Sequence, residues 1–153
     1  MAKMILCGFD DSPNGKGSEF LVSLGPTVLV DIGFDSTFRH PQIPPPTPGM
    51  RGLQALIDTG ASECCIDSLL ASQLGLPIVD RRPISGVHGS KDANMHLAQI
   101  YVPSIPFVMY GRFAAVDLIA GGQVHHALLG RTFLNAFHLF YDGLSGTVSL
   151  TLP

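Results

Sequence analysis

A mainly β domain is what this sequence predicts, and three observations predict it. Short runs rich in Val, Ile, Leu, Phe and Tyr recur along the chain between turn signals. Glycine (17) and proline (12) punctuate it throughout, so few stretches can hold a long helix. The length of 153 residues fits one compact domain, and apolar residues at 46% supply it with a core.

The strand candidates run in order. MILCGF (4–9) and EFLVSL (19–24) come first, with PNGKG (13–17) as the turn between them. TVLVDIGF (27–34) and LQALID (53–58) flank DSTFRHPQIPPPTPGMRG (35–52), a proline-dense insertion. That insertion holds a PxxP pattern of the kind SH3 modules take, but such patterns match by chance, and it reads as a stiff connection between hairpin strands. ECCI (63–66), NMHLAQIYV (94–102), FVMYGRFAAVDLI (107–119), HHALL (125–129), HLFYD (138–142) and TVSLTL (147–152) follow. Two short helices are expected. Asp67 caps the first, Leu69, Leu70 and Leu74 form its apolar face, and Gly75 stops it. The second is RTFLNAF (131–137).

Composition excludes several classes. A net charge of −3 gives no basic footprint for nucleic acid or an anionic membrane. No apolar run approaches the roughly 18 residues of a spanning helix. The N-terminal apolar run is shorter than the core of a signal peptide, so the expected location is cytoplasmic. Three cysteines, Cys7, Cys64 and Cys65, make no disulfide framework. Only 14% of residues are charged and mean hydropathy is +0.32, which points to self-association. Gly8 to Lys16 fails as a phosphate loop in its spacing. His125 and His126 are adjacent, so on a strand they face opposite ways and do not serve one metal. No metal and no cofactor are expected. Cys64 or Cys65 with His125, His126 or His138 as base would be a nucleophile pair, but nothing in the sequence fixes them together.

The informative stretch is LQALIDTGASECCIDSLLASQLGLP (53–77). Asp58 falls between two elements that both look buried, on a tight loop broken by Gly60 and Ala61. A carboxylate there loses hydration, which is costly unless its charge is used. One use is well defined: two carboxylates sharing a proton, one as base on water and one as acid on a carbonyl.

The run ALIDTGAS (55–62) resembles the active-site signature of aspartic proteases. SLLASQLGL (68–76) is similar to the helix after it. LLGRTFL (128–134) resembles the family's second loop-helix motif, and FHLFYDGLSGTVSLTL (137–152) its closing hairpin. PISGVHGSKDANMHLAQIYV (83–102) lies where a flap hairpin belongs. One signature in one lobe-sized chain resembles the retropepsin-like, single-lobe branch; the two-lobed branch carries two. The resemblance implies one closed-barrel lobe over residues 1–153, acting as a symmetric homodimer. It implies an aspartic endopeptidase acting on peptide or protein.

Residue roles follow from matched positions. Asp58 of each subunit supplies the dyad. Thr59 bonds across the two-fold axis, Gly60 leaves room for substrate backbone, and Ala61 completes the loop. Gly86, Val87, His88 and Gly89 form the flap tip. Leu129, Gly130 and Arg131 carry the second motif. In relatives the arginine pairs with an acid after the active-site loop; here the first such acid is Glu63. TVSLTL, with MILCGF, is a candidate for the dimer sheet, since left unpaired it would be a sticky edge. The alternative is a peptide-binding or scaffold protein that keeps the fold and cleaves nothing.

Overall fold

The computed structural model describes residues 3–39, 49–86 and 89–153. Among these residues, ten strands and three helices confirm the mainly β expectation. β2 (Thr27–Gly33) buries Val28, Val30 and Ile32 and leaves Leu29 outside, the two-residue period of a half-covered strand. β3 (Met50–Ile57) does the same with Leu53, Ala55 and Ile57. The two pair antiparallel, as the hairpin reading of the proline-rich insertion requires. Half of that insertion, residues 40–48 with the PxxP pattern, lies outside the described residues.

Six strands close a barrel. β2 pairs β3, and β8 (Ala127–Leu129) runs parallel to β3. β8 also pairs β4 (Cys65–Asp67), which runs parallel to β7 (Phe107–Val116). β6 (Gly89–Val102) joins β7 and returns to β2. β5 (Ile78–Gly86) hangs from β6 as the outer arm of a hairpin, with Gly86 opposite Gly89. This is the hairpin expected at 83–102; its arms begin earlier, at Ile78. Val30, Ile32, Ala98, Ile100, Leu129 and Phe133 fill the closed interior. Phe133 is wedged between Phe107 and Phe137, with ring centroids 5.7 and 4.6 Å away.

A separate three-stranded sheet holds the chain ends, in the order β1 (Lys3–Leu6), β10 (Thr147–Leu152), β9 (His138–Asp142). TVSLTL is therefore the middle strand, paired on both sides within one subunit. The expectation that it is an open edge for a dimer sheet is corrected: its buried Val148 and Leu150 anchor β1 and β9 to the barrel's core.

Two further expectations are corrected. EFLVSL is not a strand but most of helix α1 (Gly17–Leu24). Asp11 Oδ1 accepts from the Gly17 amide at 2.8 Å, which fixes the first turn, and Leu21 is its one deeply buried apolar side chain. In α2 (Ser68–Gln73), Leu69 points to solvent, and the inner face is made by Leu70 and Ala71. The cap is as expected: Asp67 accepts from the Leu70 amide. The same buried carboxylate also accepts from the amides of Leu118 and Ile119, at 3.0 and 3.1 Å. It thus ties α2 to a loop some fifty residues away. Asp67→Ala is expected to cost about 2–3 kcal/mol, since three amides lose a charged acceptor. Urea unfolding of the variant checks this through its midpoint.

Candidate active site

β3 and β4 are consecutive in the chain but not neighbours in the barrel, because β8 lies between them. The connection, residues 58–64, must arch over the end of β8. Asp58 opens that arch. Its amide donates to Leu129 O at 2.9 Å, which continues the β3–β8 ladder by one rung. Its Oδ1 accepts from the Gly60 amide at 2.9 Å, and its carbonyl accepts from Ala61. The turn therefore orients the carboxylate through backbone hydrogen bonds.

The second motif locks the arch from below. The amides of Arg131 and Thr132 donate to the carbonyls of Ala61 and Ser62, at 2.9 and 3.1 Å. Arg131 Nη1 donates to Thr59 O at 2.8 Å. This replaces the pairing with Glu63: among the described residues no ion pair joins the two. Gly130 sits directly under the arch. A Cβ there would lie 2.5 Å from Glu63 O and 2.8 Å from Ala61 O, so backbone contact alone demands glycine. The structure thus brings together Asp58, Thr59, Gly60, Ala61, Leu129, Gly130 and Arg131. Asp58 is half-buried, with Thr59 and Gly60 exposed. The expectation of a carboxylate sunk in apolar surroundings gives way to a loop open at its tip.

Gly86 and Gly89 close the β5–β6 hairpin and are exposed. Val87 and His88, the other two residues expected at this tip, lie outside the described residues. Between hairpin and β7 is a cavity of about 780 Å³, walled by Ile84, Ala93, Ala115, Val116 and Leu118 and rimmed by Lys91 and Asp117. Asp58 is not on its wall. Cys65 connects the two places. It packs against the Ala93–Met95–Ala114 cluster beside Ile84 and Val116, and it feels the Asp58 carboxylate.

Among the described residues no cysteine is hydrogen-bonded to a histidine base. Burial pushes the Cys65 thiol up to about 11, and Cys64, Asp58 and Glu63 add to the rise. Burial alone does the same to Cys7. Cys64 Sγ meets the Gly130 amide at 3.4 Å and Thr132 Oγ1 at 3.6 Å, with no histidine among its polar partners. Among the described residues, no three His, Cys, Asp or Glu side chains group as a metal-binding set. No helix among them is long and apolar enough to cross a membrane.

Sequence reasoning missed two buried polar groups beside this framework. Gln99 accepts from the Asp35 amide and donates to its carbonyl, pinning the chain where the proline-rich insertion begins. His125 is buried just ahead of β8. Thr27 Oγ1 donates to Gly25 O, so His125 Nε2 is the donor to Thr27 at 3.0 Å, and Nδ1 has no partner. A proton on Nδ1 would be buried with no acceptor. Burial, and then His126, accordingly hold the His125 pKa below its ordinary value. The unfolded chain takes up that proton at about pH 6.5 while the folded chain refuses it. The contribution of neutral His125 is thus complete above that pH. It shrinks as pH falls from there to the lower folded pKa. His125→Gln is expected to flatten the drop in thermal midpoint between pH 7.5 and 5.5, read from paired melting curves.

Residues 49–133 match the family described as Aspartyl protease. Among solved structures, the chain is similar to "EIAV protease complexed with the inhibitor HBY-793". Identity is 19%, over 72% of this chain and 85% of that one, with a TM-score of 0.48. No curated protein matches the chain.

Proposed function

Because the chain belongs to the aspartyl protease family, we propose that it is an endopeptidase whose catalytic carboxylate is Asp58, completed by Asp58 of a second copy. The observation that carries this is the arch. One acid is oriented at its tip by the Gly60 amide, and the loop behind it is laced to β8 and to the residues after Gly130. Such an arch holds the carboxylate in place without committing it to a structural ion pair.

Peptide hydrolysis by water needs a base for the water and an acid for the carbonyl oxygen. Two carboxylates brought together divide these roles by sharing one proton, and their titration then belongs to the pair. One barrel offers one such acid, so the partner acid is that of a second barrel. Thr59, exposed beside Asp58, meets its counterpart across the axis in this reading, and exposed Gly60 presents no side chain to an incoming backbone. An extended peptide crosses the two arches under the β5–β6 hairpins. The cavity lined by Ala93 and Val116, next to Cys65, takes one of its side chains. The reaction needs no metal, cofactor or acyl-enzyme.

The test is cleavage of a quenched-fluorescence peptide library by wild type and by Asp58→Asn, with association followed separately by sedimentation. Cleavage that vanishes in a variant that still associates supports the reading. A wild type that binds peptides and cuts none of them overturns it in favour of a binding module.

A further inference from the structure

A second cavity, of about 390 Å³, opens at the root of the β5–β6 hairpin, between α2 and the strands β6 and β7. Its size lies toward the small end of the range for small-molecule sites, roughly 300–1,000 Å³. Leu76, Ile78 and Ala115 give it apolar walls, and Ser72, Asn94 and His96 give it a polar edge. Among the described residues no charged side chain lines it, and Asp58 is not on its wall.

His96 is the informative member. It is only 5% exposed, and its Nδ1 lies 2.9 Å from Leu76 O. A carbonyl can only accept, so Nδ1 carries the proton of that bond. In the neutral ring Nε2 is then a lone pair. Nothing among the described residues donates to it, and it is not sealed away as the orphaned Nδ1 of His125 is. The cavity is the space left for that lone pair to face. Asn94 stands two residues earlier on β6 and so shares a face with His96. Neither the Asn94 amide group nor the Ser72 hydroxyl has a hydrogen-bond partner among the described residues.

We propose that this cavity binds a small neutral molecule bearing a primary carboxamide on an apolar body. A carboxamide offers N–H to His96 Nε2 and C=O to the Asn94 amide or the Ser72 hydroxyl. A carboxylate has no donor for Nε2, and no cation lines the cavity to hold its charge. A hydrocarbon would shut water away from three polar groups and pair none of them. The body of the ligand rests on Leu76, Ile78 and Ala115.

The site is placed to act on the hairpin. Ser68, Asn94 and Ala115 wall this cavity and also the larger one on the hairpin's other side. The β5–β6 register slips between Ile78 and Asp80, at the edge of the cavity. An occupant that touches Ser72 of α2 together with Asn94 and His96 of β6 braces the hairpin at that slip. Binding is independent of Asp58; any effect of the brace on cleavage rests on the reading of Asp58 as catalytic.

Benzamide is the probe. It is titrated into the full chain carrying ¹⁵N-labelled histidine, at about pH 8, where an ordinary imidazole is neutral. The His96 Nε2 resonance is expected to move to saturation while those of His125 stay in place, and benzoate at the same concentration is expected to move neither. The Asn94 side chain holds no bond of the fold, so Asn94→Leu is expected to weaken benzamide about tenfold or more without unfolding the chain. His96→Phe is expected to abolish binding, and Asn94→Leu keeps the test decisive if that variant does not fold. Hydrogen exchange at the amides of residues 78–80 is expected to slow when benzamide is bound. A His96 signal that benzamide does not move, equal binding of benzoate, or wild-type affinity in Asn94→Leu would overturn the site. Binding with unchanged exchange would overturn the brace. Because none of these readouts needs cleavage, the site stands or falls apart from Asp58.

Discussion

Replacing Asp58 by Asn is expected to lower peptide cleavage by at least about a thousandfold while leaving the fold intact. Two features make the loss this large. The substitution acts twice, because each copy of the chain carries the same change, so both carboxylates go at once. An amide also cannot serve as base on water at any ordinary pH, and it offers no labile proton to the carbonyl oxygen. The fold survives for a structural reason. Among the described residues, the side chain's one hydrogen bond is from the Gly60 amide to Oδ1, and an asparagine Oδ1 accepts the same bond. Circular dichroism and the urea midpoint should therefore match wild type while kcat/KM collapses. Retention of a tenth or more of the wild-type rate would remove Asp58 from the chemistry.

Gly130→Ala is expected to cost activity as well, by a different route. The added methyl meets two carbonyl oxygens of the arch at distances real Cβ atoms do not reach. Both are backbone atoms, so no side chain can swing away. The arch must lift, or the start of α3 (Arg131–Leu134) must drop, and either breaks the amide bonds from Arg131 and Thr132 to Ala61 and Ser62. Overpacking of this kind costs about 1–3 kcal/mol in stability. The displacement of the catalytic acid adds a loss of order a hundredfold in rate, since placement errors near 1 Å carry that penalty. The measurement is a pair of numbers, the urea midpoint and kcat/KM. A fall in the first with no change in the second would mean that the arch tolerates the methyl.

Much of this architecture was legible in the sequence, because the strands alternate and the turns are marked. TVLVDIG, LQALI and HLFYD are found where runs of β-favouring residues between turn signals place them. The arch was legible for a different reason: an acid, a hydroxyl and a glycine interrupt an apolar run just where a second Gly-Arg motif later answers it. EFLVSL misled, since its residue types favour strands. Local punctuation held the correction, for Leu24 is followed by Gly25 at φ +74 and then Pro26, a helix stop. Other features have no local signature. Asp67 looks like a simple cap, and only the folded chain brings Leu118 and Ile119 to it. His125 and Gln99 carry no local sign of burial, and tertiary packing alone buries them. TVSLTL reads as an edge because sequence shows that a strand alternates but not how many partners it finds.

The β1–β10 ladder sets Lys3 beside Leu152. Forming those rungs closes a loop from Lys3 to Leu152, so the entropy of closure must be met before the ladder returns any stability. The small sheet is thus expected to zip last in refolding, onto a barrel already assembled. A circular permutant that joins these neighbouring positions through a short linker, and opens at the exposed turn of Ser36 and Thr37, would turn that slowest contact into a local hairpin.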